Sequence, residues 1–573
     1  MSKHYLLIIL ILTISPAAVA QVNDSTSRNP QTSKVNQLFA QWDKPDSPGC
    51  ALLVIKDGQT IFKRGYGIAN LDYGIPISSE TVFNIGSVSK QFTAMSVALL
   101  ARQGKISFDD DIRKYLPELP QYQSRITIRQ LIYHTSGVRE YPHLMQLTGI
   151  KFQDATDEEV LGIITRQKEL NFKPGDEYLY SNSGYFLLAQ IIKRASGKSL
   201  REFAEENIFK PLGMVNTHFQ DDTTEVVKKR ATGYSSRKGG GFAIELTGSA
   251  HVGDGGLLTT IDDLFRWDKI FYENTLNGGQ DLIQQVLTPG TLNSGEKLDH
   301  AFGLEIETYK GARMFAHGGA YFGFNADMVR FPHQRFSVIC LCNLSNIETG
   351  RLTRQVADIY LANEFKQGGE SETNLPEAKV IQVPERELTA VAGSYFNFAN
   401  NNFRRLYVKN GKLIYSRGSS DSELAPLGND RFLMLGVPDR IEISFKSPRP
   451  GAALQMFTAA NGKVFIVHDS VRPAGYTPQQ LKEFTGSYHS QEIDATYTFA
   501  LQDDNLVLRR KNVDGDTPLV VQFADAFSAA GTGSIRFTRN AQQQVSGFLL
   551  STGRVRNLRF DKGEIAAAAY EAQ

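Results

Sequence analysis

Ser87-Val88-Ser89-Lys90 sets a hydroxyl and an amine three residues apart, where a polar stretch gives way to an apolar one. If a helix starts there, the serine hydroxyl sits beside unpaired backbone N–H groups at the positive end of the helix dipole. Lys90 then lies one turn on and on the same face, where it can accept or relay the serine proton. Burial would lower its pKa, as a general base requires. The same spacing also fits an ordinary helix start with a capping serine and a solvated lysine. Tyr180-Ser181-Asn182 offers a phenol that can shuttle a proton between nucleophile and leaving group, and an amide that can donate to a substrate carbonyl. His317-Gly318-Gly319 offers an imidazole that can supply a proton or a hydrogen bond, beside two glycines that let a substrate backbone or oxyanion come close. The plainer readings are a packed aromatic with a turn asparagine, and a glycine-rich bend.

Hydrophobic spacing predicts the elements that hold these segments. Residues 87–103 carry Phe92, Met95, Leu99 and Leu100 mostly at three- and four-residue intervals and end at Gly104, the best-marked helix of the chain. Residues 51–55 and 60–64 read as a hairpin around Asp57-Gly58, a pair suited to a type I′ turn. Shorter helices are expected at 111–116, 127–133, 157–165 and 185–195, another from Thr260, and a closing one over 356–365. Residues 302–308, 314–316, 324–331 and 336–342 read as strands, and the Gly- and base-rich 235–241 as a mobile loop. A strand pair, a long helical middle, more strands and a helix make an α+β layout rather than alternating βαβ units.

The 573 residues include 62 Lys and Arg against 61 Asp and Glu, a net charge of +1. That balance gives no electrostatic footprint for nucleic acid. With 41% hydrophobic residues the chain is not a disordered one, and its length predicts two or three domains. Residues 1–20 combine Lys3, an apolar 6–14 and Ala18-Val19-Ala20, the pattern of a cleavable signal peptide, with an uncleaved anchor as the alternative. The mature chain then starts near Gln21 in the periplasm or outside the cell, with a flexible lead-in over 21–36. No later run has the length of a stable membrane span. Three cysteines are too few for a disulfide framework. Cys340 and Cys342 share one face of a strand; the three read as buried thiols, with a bridge from Cys50 to one of that pair as the alternative. No His or Cys cluster has metal-ligand spacing.

After residue 365 the composition changes. Residues 366–384 suit a linker, and beyond them short alternating segments dominate. Leu388 to Tyr395 and Leu481 to Tyr488 both match L-x4-G-S-Y, and Leu413 corresponds to Leu506, an offset of 93 residues in each case (481 less 388, 506 less 413). More loosely, 453–458 and 463–468 correspond to 533–538 and 544–549. Two successive antiparallel β-barrels over 385–475 and 476–573 follow, since closure removes edge strands. One larger sandwich is the alternative.

In their order, S-x-x-K, Y-x-N and H-x-G resemble the serine β-lactamase and penicillin-binding-protein-like superfamily. Within it they look most like the class C β-lactamase-related branch that holds D-aminopeptidases, D-Ala-D-Ala carboxypeptidases and family VIII esterases. Phe83-Asn84-Ile85-Gly86, residues 128–137, Pro174-Gly175 and residues 253–264 share the likeness, which covers roughly 37–365. The resemblance implies a β-lactamase/transpeptidase-like domain, an antiparallel sheet flanked by helices with a helical subdomain. It implies Ser87 as the acylated nucleophile, Lys90 as its proton partner and Tyr180 as base or relay. Asn182 would orient the acyl side chain, His317, Gly318 and Gly319 would form the third motif, and the N–H groups of Ser87 and Ala320 the oxyanion hole. It implies no metal and no organic cofactor, gives His134 a structural place, and gives Asp254 a part in shaping the cleft. His317 stands where penicillin-recognising members carry lysine, so a fixed charge for a substrate carboxylate is missing there. The expected activity is an exported serine hydrolase of small amides or short peptides, D-aminopeptidase- or DD-peptidase-like. A family VIII-type carboxylesterase, a weak β-lactamase or a catalytically idle binding protein are the alternatives. The tail resembles the lipocalin-like barrels attached to some D-aminopeptidase-type proteins, in which a barrel loop can reach the cleft. Oligomeric state is left open.

Overall fold

The computed structural model describes residues 30–150, 155–246, 250–365, 379–417, 420–437, 440–449, 451–460 and 463–563. The expected signal peptide at 1–20 and most of the lead-in and linker lie outside the described residues.

The run Cys50–Lys56, CALLVIK, is buried at six consecutive positions. A strand apolar on both sides needs a cover on both faces. It lies inside a six-stranded antiparallel sheet of spatial order Glu305–Tyr309, Ala312–Tyr321, Phe324–Phe331, Phe336–Cys342, Cys50–Lys56, Gln59–Tyr66. Alternate side chains go to different cores, as the strand's period of two requires. Leu52 and Val54 pack with Val35, Phe39 and Val356 from the helices Pro30–Phe39 and Thr349–Tyr360. Ala51, Leu53 and Ile55 join the larger core with Phe92, Met95 and Trp267.

The N-terminal hairpin turns through Asp57 and Gly58, both at positive φ as a type I′ turn needs. Sheet register sets Cys50 opposite Cys342, and the two form a disulfide, so the reading of three buried thiols is corrected. Cys340 stays a buried thiol, its sulfur 3.6 Å from that of Cys342.

Other expectations shift. The lead-in reading of 21–36 gives way from Pro30 on to the helix Pro30–Phe39, anchored by the fully buried Val35 and Phe39. Within 235–241, Ser235 and Ser236 are paired strand and 237–241 are the loop that joins the hairpin Tyr234–Ser236 with Phe242–Ile244. The strand expected at 314–316 runs from Ala312 to Tyr321, so His317, Gly318 and Gly319 are extended chain paired to Phe324–Phe331 rather than a bend. Neighbouring backbone supplies the order that glycine's weak strand preference withholds. Helices at Tyr141–Thr148 and Gly279–Val286 were not anticipated.

The tail is two closed eight-stranded barrels with strands in sequence order, from Gly393–Asn397 to Lys463–Val471 and from Gly486–Ser490 to Val555–Lys562. The repeated L-x4-G-S-Y has one physical role in both. Tyr395 donates to the Val391 carbonyl at 2.8 Å and Tyr488 to the Phe484 carbonyl at 2.9 Å, tying a short entry helix to the first strand. The later sequence match is one strand out. Gln455–Ala460 and Lys463–Val471 are the seventh and eighth strands of their barrel, whereas the segments matched to them fall on Gly533–Arg539 and Val545–Thr552, the sixth and seventh. The second barrel is filled: the six pairings of Tyr488, Phe499, Phe537 and Phe548 have ring centroids 5.2–5.7 Å apart. Its side chains join the larger core of the helical region, while the first barrel has a core of its own.

Candidate active site

Helix Lys90–Arg102 follows a 3-10 turn, Gly86–Ser89, that carries Ser87 at the helix's positive end. Gly86 takes φ +49, and a Cβ on it would lie 2.7 Å from the backbone nitrogen of Ala320. A Cβ on Gly319 would lie 2.1 Å from the Ile85 carbonyl oxygen and 3.0 Å from the Ser87 nitrogen. The absence of these side chains lets the end of strand Ala312–Tyr321 press its backbone onto the serine turn. Ser87 and Ala320 thereby line one cleft of about 850 Å³ with Tyr180, Asn182, His317, Gly318 and Gly319.

Lys90 is fully buried, and its Nζ is 3.1 Å from Ser87 Oγ and 2.9 Å from Asn182 Oδ1, with the Asp254 carbonyl oxygen as third partner. Burial lowers its pKa to about 8, against the opposing pull of Asp254 and Glu140. Two of its three partners can only accept. A neutral amine has two N–H donors and one lone pair, so with both donors given to Asn182 and Asp254 the lone pair is left for the Ser87 hydroxyl. The asparagine's orientation is fixed from behind: Glu140, a fully buried carboxylate, accepts from Asn182 Nδ2 at 2.6 Å and from its backbone N–H at 2.8 Å.

Tyr180 shares the cleft wall with Ser87, and burial raises its phenol well above the usual value, with Ser87 the main opposing influence. His134 stacks on its ring at 4.4 Å and accepts from the Ser181 N–H through Nδ1 at 3.0 Å, which places it under the tyrosine rather than at the nucleophile. His317 is buried and kept neutral, its pKa lowered to about 4 by burial and by Lys90. Its Nδ1 is 2.6 Å from the Gly318 carbonyl oxygen, which can only accept, so the proton sits on Nδ1 and Nε2 presents a lone pair. In this tautomer Nδ1 donates and Nε2 can only accept. Asp254 meets Lys90 through its backbone, and its carboxylate accepts from Tyr141 at 2.9 Å.

Three residues here had no sequence signal. Glu140 makes no side-chain cap for the helix Tyr141–Thr148 that it precedes and belongs to no motif. His300 is buried with neither ring nitrogen partnered among the described residues, 4.7 Å from the His134 ring and 6.4 Å from that of His317. Arg554 comes from the second barrel, on the turn between Val545–Thr552 and Val555–Lys562, and lines the cleft. It pairs with Glu140 at 2.6 Å and lies 5.4 Å over the Tyr180 ring. Arg139 fixes that turn: it is 1% exposed, pairs with Glu492 at 2.8 Å, and donates to the carbonyls of Arg556 and Asn557.

The Beta-lactamase family profile matches residues 35–361. A D-aminopeptidase of Cereibacter sphaeroides is 30% identical over 474 residues, 82% of this chain and 85% of that protein. A D-aminopeptidase of Gluconobacter oxydans is 28% identical over 297 residues, 52% of this chain, and the match spans little more than half, 56%, of that relative's length. The octameric penicillin-binding protein homologue from Pyrococcus abyssi has a like fold, with a TM-score of 0.53 at 21% identity over 84% of this chain and 98% of that one.

Proposed function

Because the chain belongs to the Beta-lactamase family, we propose that it is an exported serine hydrolase that cleaves small amides or short peptides through an acyl-enzyme on Ser87. We assign 37–365 to the hydrolase, 366–384 to a linker, and 385–475 and 476–573 to lipocalin-like appendages, with the periplasm or the exterior as its place of work.

The observation that carries this reading is the pairing of a buried, pKa-lowered Lys90 with Ser87 at 3.1 Å, its other two donors spent on acceptors. Neutral Lys90 takes the Ser87 proton while Oγ bonds to the substrate carbonyl carbon. The resulting oxyanion is held by the N–H groups of Ser87 and Ala320, a kind of contact that contributes a few kcal/mol in the transition state. Tyr180, which keeps its proton, passes it to the leaving amine as the C–N bond breaks and recovers one from Lys90. Water then attacks the Ser87 ester, giving its proton back through the same pair, and the acid leaves. Asn182 and the edge formed by Gly318 and Gly319 hold the substrate, with His317 Nε2 as an acceptor for a substrate N–H.

The test is kcat/KM for D-alanine p-nitroanilide, free and N-acetylated, against the L-enantiomers and p-nitrophenyl acetate, with Ser87→Ala as control. Ser87-dependent amide turnover is expected, and a D preference of about tenfold, about 1.4 kcal/mol, would place it with D-peptidases. Turnover of the ester alone would replace the amidase reading by an esterase. No Ser87-dependent turnover of any of them would sink the hydrolase reading in favour of a binding protein.

A further inference from the structure

The cleft has one cation that its own domain does not supply. Lys90 is enclosed and its donors are committed, and neutral His317 brings no charge. Arg354 also lines the cleft, but its Nη2 donates to both Glu307 oxygens at 2.8 Å and its Nη1 to the Gly350 carbonyl at 3.0 Å, so its charge is already paired. Arg554 differs. One nitrogen, Nη2, holds Glu140, while Nε is buried without a partner among the described residues. Its side chain is 32% exposed and forms part of the cleft wall beside Tyr180 and Asn182. Its other terminal nitrogen, Nη1, has no acceptor among the described residues, and a guanidinium with a donor left over in a partly exposed wall is matched by a carboxylate, whose oxygens suit its planar donors. The turn is not free to swing away. A Cβ on Gly553 would lie 2.5 Å from the His143 ring, and the Arg554 carbonyl accepts from Asn171 Nδ2 at 2.9 Å.

We propose that Arg554, held in the cleft by the second barrel, is a specificity residue that reads a substrate carboxylate. The proposal rests on the serine-hydrolase reading and names its substrate class: short amides or peptides bearing an anionic carboxylate near the scissile bond. A substrate with a free ammonium at that place is disfavoured, since the arginine pairs with Glu140, the buried carboxylate that holds Asn182.

The test compares succinyl-D-alanine p-nitroanilide with acetyl-D-alanine p-nitroanilide, which share a scissile bond and differ in one carboxylate. A second pair, acetyl-D-alanyl-D-alanine against its C-terminal amide, puts the carboxylate on the leaving group instead. The expected result is a tenfold or larger kcat/KM preference for the anionic member of one pair, collapsing to near unity in Arg554→Ala and retained in part in Arg554→Lys. The ratio is the readout, so a general loss of rate in the variants does not disturb it. Equal loss for both members in Arg554→Ala would overturn the proposal and leave Arg554 a positioning residue acting through Glu140. Equal rates in the unaltered protein would overturn it as well. Calorimetric titration of Ser87→Ala with succinyl-D-alanine and with acetyl-D-alaninamide separates this from failure of the hydrolase reading. Arg554-dependent binding of the carboxylate alone upholds the anchor even without turnover, and no such difference removes it.

Discussion

The pH dependence of turnover tests the central claim about Lys90. With its pKa lowered to about 8 by burial, about one lysine in ten is neutral at pH 7 and about nine in ten at pH 9. If neutral Lys90 takes the Ser87 proton, kcat/KM for a neutral N-acetylated D-alanine p-nitroanilide rises about tenfold between these values and levels off above them. The histidines at the site do not imitate this limb, because burial holds His317 near 4 and His300 near 3. Glu140→Gln gives the sign. The Glu140 charge raises the Lys90 pKa, so removing it moves the limb to lower pH, while the plateau falls because Gln offers Asn182 one acceptor where the carboxylate offered two. The assay is initial rate against pH from 5.5 to 10 at substrate far below KM. A flat profile, a limb centred near 6.5, or an upward shift in Glu140→Gln would refute the reasoning.

Three further outcomes concern stability. Burial raises the Asp327 carboxyl from 3.8 to about 7. The folded state therefore keeps a proton that the unfolded chain gives up, and stability falls as pH climbs from 4 to 7, by up to about 4 kcal/mol. Asp327→Asn flattens that slope in urea titrations at pH 4.5 and 7.5, and an unchanged slope would contradict the burial argument. The Cys50–Cys342 disulfide closes a separation of 292 residues, so Cys50→Ser with Cys342→Ser is expected to cost roughly 3–5 kcal/mol in chemical denaturation. The native protein is expected to resist iodoacetamide and the denatured one to take a single label at Cys340, which is the buried free thiol. Arg139→Met leaves Glu492 charged in a buried position and lowers stability by about 3–5 kcal/mol; the double variant with Glu492→Leu recovers most of it, and no recovery would mean that the pair is not what binds barrel to hydrolase.

The sequence was most readable where chemistry and local structure coincide. Ser87 and Lys90 need only one helical turn to meet, so their spacing announced their contact. Tyr180 and Asn182 frame the start of helix Asn182–Ser196, with Ser181 as its cap, and that too is local. The glycines of the third motif left two shapes open, a close-approach edge or a bend, and only pairing with Phe324–Phe331 decides for extended chain. Cys50 could have met either later cysteine, and only the register of the assembled sheet decides for Cys342. Glu140, His300 and Arg554 were invisible for one common reason. Each meets the site only through residues that are not its neighbours in sequence, Glu140 and Arg554 by hydrogen bonds and His300 by ring contacts alone, so no spacing marks it.

The contact between Arg554 and Glu140 spans 414 positions of chain, and that from Arg139 to Arg556 spans 417. Contacts of such separation form late, after the entropy of closing the intervening chain has been met. The contacts that arm the nucleophile are closer in sequence: Lys90 meets Ser87 within a single turn, and Asn182 and Asp254 across 92 and 164 positions. During refolding, helix content and a competent Ser87 are therefore expected to appear before the cleft acquires its substrate preference. An immature molecule would be a less discriminating version of the finished one, and selectivity would serve as a late marker that the last hairpin, Val545–Thr552 with Val555–Lys562, has reached its seat.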